Sequence, residues 1–177
     1  YICTMLHNRI LIQERLHQHE SIEKLNPNCV NTIRIVTLAD KNRNIGIFAA
    51  FLRLGVVKDS FVDNRAKGGL GVGIDLETGR LKEFGFAHDE FGAKLSKHPL
   101  TDVVFKDYQL PYWSETKKLV VNAHKQFYEL QSIGWDIVIT PKGPVILEGN
   151  DDWEIGGPQD TAGGLKERWK KLTGEQI

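Results

Sequence analysis

Two adjacent stretches with a two-residue apolar period constrain the fold of this chain most strongly. Residues 31–40 and 44–54 alternate apolar and polar side chains, as do strands that bury one face of a sheet. The polar residues 41–44 between them predict a turn, so the two strands are expected to pair as an antiparallel hairpin. Arg34 and Arg53 would then lie on the face opposite the main apolar positions.

Further strand patterns extend this hairpin into a larger sheet. They occur at residues 10–16, 69–76, 80–87, 134–140 and 144–148. The 69–87 region and the 134–148 region each contain two strand patterns separated by a short turn, which is typical of antiparallel hairpins. We therefore predict an α+β fold with a mostly antiparallel sheet and packed helices, forming a single domain over residues 1–177.

Helices are expected in three places. Residues 20–25 form a short one with Ser21 as its N-cap, and Ser114 is the expected N-cap of a longer one. Residues 161–172 place Leu and Trp side chains at helical spacing and predict a third. Residues 88–111 show weak periodicity, and a loop of that length is expected to act as a lid over a site.

Charge and cysteine usage exclude several classes of protein. Lys plus Arg and Asp plus Glu both number 23, so the net charge is zero and no overall field attracts nucleic acid or an acidic membrane. No run approaches the ~20 apolar residues of a membrane span. Cys3 and Cys29 match no disulfide framework or zinc motif, which favours a reducing compartment and predicts a cytoplasmic protein. The chain opens at Tyr1 without capping or turn residues, so we expect it to begin inside a larger protein.

Asp136, Glu148 and Asn150 form the sharpest group of candidate functional residues. A turn around Lys142 would pair the strands that carry them and bring Asp136 and Glu148 side by side. Glu148 and Asn150 are two residues apart and would project from the same face. Carboxylate and amide oxygens on one face suit Mg²⁺ and leave room for phosphates. The same residues are compatible with an ordinary hairpin, or with the acid and base of a glycosidase.

Four features occur in an order that resembles the ATP-grasp superfamily, and together they span residues 10–150. They are a hinge strand bordering adenine (10–16), two paired strands that each contribute an arginine (31–34 and 51–53), an Asn followed by a double glycine (63–69), and the Asp, Glu and Asn metal signature (136–150). Residues 30–36, 62–64 and 132–136 are similar to the sugar-transfer associated branch. That branch is linked to the synthesis of cell-surface polysaccharides.

The resemblance implies the C-terminal lobe of an ATP-grasp fold that uses ATP and Mg²⁺. The implied roles are metal ligation by Asp136, Glu148 and Asn150, catalysis by Arg34 and Arg53, nucleotide binding by Gln13, Glu14, Leu16, Glu20 and Arg53, and substrate binding by Asn64, Lys67, Gly68 and Gly69. A planar guanidinium suits the charge that develops on phosphate oxygens better than the point charge of a lysine does.

The implied reaction is that of a Mg-ATP-dependent ligase. It would activate a small-molecule carboxylate as an acyl phosphate and join it to an amine or similar acceptor, without nucleic acid or membrane partners. By the same resemblance, we expect the superfamily's upstream nucleotide-binding lobe to lie outside this chain. A second hypothesis therefore stays open, in which the chain is a non-catalytic nucleotide- or carbohydrate-binding module with Tyr112, Trp135 and Trp153 as an aromatic platform. Residues 69–73 do not satisfy the dinucleotide-binding glycine pattern, and no P-loop motif occurs.

Overall fold

A computed structural model describes residues 2–6, 9–14, 16–56, 69–87 and 93–174 of the 177-residue chain. Its strands are β1 (Ile2–Leu6), β2 (Arg9–Gln13), β3 (Thr32–Ala39), β4 (Ile45–Leu54), β5 (Leu70–Ile74), β6 (Leu81–Ala87), β7 (Lys94–Leu95), β8 (Ser132–Thr140) and β9 (Gly143–Asn150). Its helices are α1 (Glu20–Leu25), α2 (Trp113–His124), α3 (Gly156–Ala162) and α4 (Lys166–Thr173), with a 3-10 turn at Lys125–Phe127.

Seven strands form one sheet in the order β7-β6-β5-β4-β3-β8-β9, and each pair of neighbours is antiparallel. Strands β1 and β2 pair with each other in a separate antiparallel sheet. Antiparallel neighbours can be joined by short turns and need no helix between every two strands. The predicted α+β class, with a mostly antiparallel sheet and packed helices, is confirmed.

Alternation along the central strands sends apolar side chains to one face of the large sheet. Ile33, Leu52 and Ile137 lie there in the main hydrophobic cluster, and each is at most 1% exposed. Helices α1 and α2 cover this face and add Ile22 and Val120 to the same cluster. Each such side chain contributes about 1.5–3 kcal/mol when it leaves water, so this face supplies most of the driving force for folding.

A smaller cluster covers part of the opposite face. Phe48 and Leu165 are buried there, and Trp169 of α4 meets the Phe48 ring edge-on at 5.6 Å between ring centroids. Helix α3 approaches β5 so closely that a Cβ on Gly73 would lie 2.4 Å from the carbonyl oxygen of Thr161. The lack of a side chain at Gly73 therefore lets α3 lie against the sheet. The rest of this face is left for polar residues.

The predicted hairpins are confirmed for β3 with β4, β5 with β6, and β8 with β9. The strand predicted at residues 10–16 ends earlier, at Gln13 of β2. Its partner β1 was not anticipated, because residues 2–6 carry no turn or cap signal of their own.

Three predictions about helices are wrong. The N-cap of α1 is His19, whose Nδ1 accepts a hydrogen bond from the Ser21 backbone, instead of Ser21 itself. Helix α2 begins before Ser114, after Tyr112, which has a left-handed backbone (φ 55°) and makes no side-chain cap. The single helix expected at the end of the chain is broken into α3 and α4 at Gly163 (φ 87°), a conformation that only glycine adopts readily. Among the described residues, no helix has the length and apolar character needed to cross a membrane.

The stretch 88–111 differs from the expected lid. Residues 88–92 lie outside the described part, but Lys94–Leu95 form a short strand beside β6. Phe105 and Leu110 are buried in the main cluster. Their apolar side chains anchor the described part of this stretch to the core, on the face of the sheet opposite Arg34 and Arg53.

Candidate functional site

Two arginines share one carboxylate on the polar face of the sheet. Arg34 Nε donates to Asp136 Oδ1 at 2.5 Å, and Arg34 Nη2 donates to Oδ2 at 3.0 Å. Arg53 Nη1 donates to the same Oδ2 at 3.1 Å. The side chains of both arginines are 15% exposed and that of Asp136 is 7% exposed, so water screens these contacts only in part. The three groups form a charged cluster, which we call the Arg-Asp-Arg triad.

Strand register explains why these residues meet. Arg34 lies directly opposite Asp136 across β3 and β8, and Thr32 lies opposite Arg53 across β3 and β4. Since Thr32 and Arg34 are two residues apart on β3, all of these side chains project from the same face. The two-residue period in the sequence thus correctly predicted that Arg34 and Arg53 project from the same face of adjacent strands, but it did not predict that both bond to Asp136.

Glu148 and Asn150 lie beside the triad on the edge strand β9. Glu148 is the direct cross-strand partner of Asp136, and Asn150 that of Gly134. Asn150 Nδ2 donates to Glu148 Oε1 at 3.2 Å, so these two side chains are in contact. The structure therefore brings together all three predicted metal ligands, with the Glu148 side of the group open to solvent.

The oxygens of these residues fit a hard divalent cation in their chemical type, but they are not equally available. Glu148 and Asn150 offer carboxylate and amide oxygens at the edge of the sheet, and oxygen is the ligand type that Mg²⁺ prefers. Both oxygens of Asp136 are already bonded to guanidinium groups. Within the described residues, no group of three or more His, Cys, Asp or Glu side chains is arranged to hold a metal. Glu148 and Asn150 could supply two oxygen ligands to Mg²⁺, and Asp136 could join them most readily by releasing an arginine.

An aromatic side chain borders the triad on its β8 side. A Cβ on Gly134 would lie 2.6 Å from Trp153 Cβ and 3.7 Å from Arg34 Cδ, so the bare backbone of Gly134 lets Trp153 pack over β8 next to Arg34. Trp153 Nε1 donates to Ser132 Oγ at 3.0 Å, which fixes the orientation of the ring. Trp153 therefore forms an apolar border to the site, a role that no spacing in the sequence predicts.

A buried hydrogen-bond network supports the strand end that carries Arg53. Asn26 Nδ2 donates to the carbonyl of Gly55 at 2.8 Å, and His98 Nε2 contacts the same oxygen at 3.0 Å. Gln18 and Asn31 extend the network through a side-chain hydrogen bond of 3.0 Å. Sequence reasoning missed this network. The sequence does carry one signal for it, because several Asn residues cluster around Pro27.

His98 is fully buried, and its protonation state follows from its surroundings. Burial lowers its pKa below 6.5, whereas its contact with the Gly55 carbonyl acts in the opposite direction. The backbone N–H of Leu100 donates to Nδ1, so Nε2 carries the proton that faces Gly55. A neutral His98 therefore satisfies both of its neighbours.

The other predicted site residues are more scattered. Gln13 ends β2, Glu14 is exposed just after it, and Leu16 is half-buried. The backbone N–H of His19 donates to the carbonyl of Ile139 at 2.7 Å, which ties this segment to β8. Glu20 is exposed at the start of α1, and that helix packs on the face opposite the triad, so the structure does not bring Glu20 to the arginines.

The predicted substrate-binding loop lies largely outside the described residues. Asn64, Lys67 and Gly68 fall in that part, and Gly69 is buried immediately before β5. The roles assigned to these four residues stay predictions.

The three aromatic residues of the carbohydrate hypothesis do not form one platform. Trp135 is buried in the main cluster, where its ring packs near Phe127, and Tyr112 packs against the same cluster. Trp153 belongs to the smaller cluster on the other face of the sheet. A flat aromatic surface built from all three is therefore excluded.

Comparison with protein families places the chain in one family over nearly its whole length. The family model for sugar-transfer associated ATP-grasp proteins matches residues 1–173. None of the curated proteins compared with the chain matches it. The family match extends over nearly the whole length of the chain, including β1, α3 and α4. The chain belongs to the sugar-transfer associated ATP-grasp family.

Proposed function

We propose that this chain binds ATP with Mg²⁺ and takes part in a ligase-type reaction. A carboxylate oxygen of one substrate would attack the γ-phosphorus of ATP, giving an acyl phosphate and ADP. An amine or similar acceptor would then attack the acyl carbon and release phosphate. The observation that carries the proposal is the Arg-Asp-Arg triad beside Glu148 and Asn150 on one open face, in a chain of an ATP-grasp family.

Each residue of the cluster has a distinct task in this proposal. Arg34 and Arg53 bind phosphate oxygens with planar guanidinium groups, which can form two parallel hydrogen bonds to one phosphate. Glu148 and Asn150 hold the metal, with Asp136 as the third ligand. Mg²⁺ held by these residues would supply positive charge that stabilises the phosphate oxygens during transfer. Trp153 excludes water from the β8 side of the arginines.

The partners and the compartment belong to the same proposal. The substrates are a small-molecule carboxylate and a small acceptor, and the product enters the synthesis of a cell-surface polysaccharide. ATP and a buried cysteine thiol at Cys29 both fit the cytoplasm.

Calorimetric titration with a non-hydrolysable ATP analogue in excess Mg²⁺ tests this proposal. The wild-type protein should bind the analogue, and Glu148→Gln should weaken binding by about tenfold or more, because it removes a charged metal ligand. Glu83→Gln on β6 is the matched control, since it removes an exposed carboxylate away from the cluster. Absence of binding to the wild-type protein would refute the proposal. Equal binding with and without EDTA would support the metal-independent module instead.

A further inference from the structure

In the proposed function Asp136 has two kinds of partner, the two arginines and the metal, and they compete for its two oxygens. We propose that Asp136 is an exchangeable ligand, which holds Arg34 and Arg53 in the metal-free protein and transfers at least one oxygen to the metal when Mg²⁺ and a polyphosphate bind together. This inference rests on the proposed function and adds a regulatory property to the same site: the arginines become available to phosphate only as the metal arrives.

The geometry of the triad limits how Asp136 can bind a metal. A carboxylate offers about four lone-pair positions, and three hydrogen bonds from Arg34 and Arg53 already occupy positions on both oxygens of Asp136. A metal ligated by Asp136 would lie close to two guanidinium groups that carry the same sign of charge. Only about one lone-pair position is left, and like-charge repulsion therefore disfavours metal ligation by Asp136 unless at least one arginine moves to another anion.

The charges of the site favour the binding of metal and triphosphate together. Arg34, Arg53, Asp136 and Glu148 have formal charges that sum to zero. A divalent cation alone would leave the cluster at a net charge of about +2, and a triphosphate with four negative charges alone would leave it at about −4. Binding both leaves about −2, so each ligand offsets part of the charge that the other introduces. Because the side chains of Arg34, Arg53 and Asp136 are at most 15% exposed, solvent screens this imbalance incompletely.

The exchange has a specific consequence for metal-free binding. In the wild-type protein, a nucleotide without metal must compete with Asp136 for the guanidinium groups. When Asp136 is replaced by asparagine, Arg34 and Arg53 lose the carboxylate that they share, so phosphate meets less competition for their guanidinium groups. The same replacement removes a metal ligand, so binding in Mg²⁺ weakens. The variant should thus change affinity in opposite directions under the two conditions.

The test compares the wild-type protein, Asp136→Asn and Glu148→Gln in calorimetric titrations with the same ATP analogue, in EDTA and in excess Mg²⁺. Asp136→Asn is expected to bind about tenfold more tightly than wild type in EDTA and about tenfold more weakly in Mg²⁺, within the usual range of coupling between sites. Glu148→Gln removes the same charge without contacting the arginines, so its affinity in EDTA should stay within about threefold of wild type. Equal changes in EDTA for the two variants would overturn the inference, because general electrostatics would then explain them.

A second measurement uses the wild-type protein alone and so does not depend on how well the variant folds. The Nε–H signal of Arg34 in nitrogen-correlated NMR reports its hydrogen bond to Asp136. Excess Mg²⁺ alone should leave this signal in place, whereas Mg²⁺ with the analogue should shift it. A signal that is unchanged in the saturated complex would refute the exchange while leaving the proposed function standing. Failure of the wild-type protein to bind the analogue in Mg²⁺ would refute both.

Discussion

Replacing Thr37 with valine is expected to destabilise the fold, although valine has nearly the same shape. The Thr37 hydroxyl is fully buried beneath the sheet and lies within hydrogen-bond distance of three groups, of which the Ile133 carbonyl, at 3.3 Å, is the farthest. Trp135 Nε1 donates to Thr37 Oγ1 at 2.8 Å, and His124 Nδ1 lies 2.7 Å from the same oxygen. His124 Nε2 lies 3.2 Å from the carbonyl of Leu130, which places its proton on Nε2 and makes Nδ1 the acceptor of the Thr37 hydroxyl proton.

The magnitude follows from the two groups that lose a partner. Valine leaves the Trp135 N–H and the His124 Nδ1 without their hydrogen bonds in the core, and each buried unsatisfied group costs about 1–3 kcal/mol. Replacing a buried hydroxyl with a methyl group recovers part of this. We expect the free energy of unfolding to fall by about 2–4 kcal/mol, and the melting temperature by about 4–16 °C for a chain of this size.

Thr37→Ser is the matched control, because it keeps the hydroxyl and removes the methyl. Its expected cost is about 1 kcal/mol for the lost methyl group. Urea denaturation of the three proteins, followed by tryptophan fluorescence, gives the comparison. The reasoning is refuted if Thr37→Val is as stable as the wild-type protein, or more stable than Thr37→Ser. Since Trp135 immediately precedes Asp136 on β8, this interaction also helps to fix the strand that carries the triad.

Two further predictions follow from buried groups elsewhere in the fold. Burial lowers the pKa of both His98 and His124 below 6.5, so the unfolded chain binds protons that the folded chain does not. The contribution of these two histidines to the free energy of unfolding should therefore be complete above pH 6.5 and should decrease as the pH falls below it. Equal free energies of unfolding from urea titrations at about pH 7.5 and pH 5.5 would contradict this assignment. Gly73→Ala should cost about 1–3 kcal/mol, because its Cβ would lie 2.4 Å from a carbonyl oxygen of α3. Gly46→Ala, whose Cβ would meet nothing within 4 Å, should have little effect in the same assay, and similar costs at both positions would show that the approach of α3 is not responsible.

Local periodicity was sufficient to predict most of the sheet. Residues 31–54 alternate clearly, and both β3 and β4 begin and end within a residue or so of their predicted bounds. The short turn between β8 and β9 predicted that Asp136 and Glu148 lie close together, but the turn alone would place Leu147 opposite Asp136. A bulge between Asp136 and Ile137 shifts the register so that Glu148 is the partner. These features depend on neighbours in sequence, which is why they could be predicted.

Features that depend on distant residues could not be predicted in this way. Asp136 meets Arg34 because β8 pairs with β3, about a hundred residues away in the chain, and no local pattern reports that pairing. The same holds for His98, which reaches Gly55 from a stretch that had been interpreted as a lid. The predicted N-cap of α2 was wrong for a different reason. The helix begins after Tyr112, which has a left-handed backbone and makes no side-chain cap.

The position of the metal tests the central claim most directly. Crystals of the protein grown with Mn²⁺ and the non-hydrolysable ATP analogue would locate the metal through its anomalous scattering. We predict a manganese peak within about 2.3 Å of oxygens from Glu148 and Asn150, with the analogue's phosphates on the guanidinium groups of Arg34 and Arg53. A saturated complex with the manganese or the phosphates bound elsewhere on the chain would contradict the proposed site.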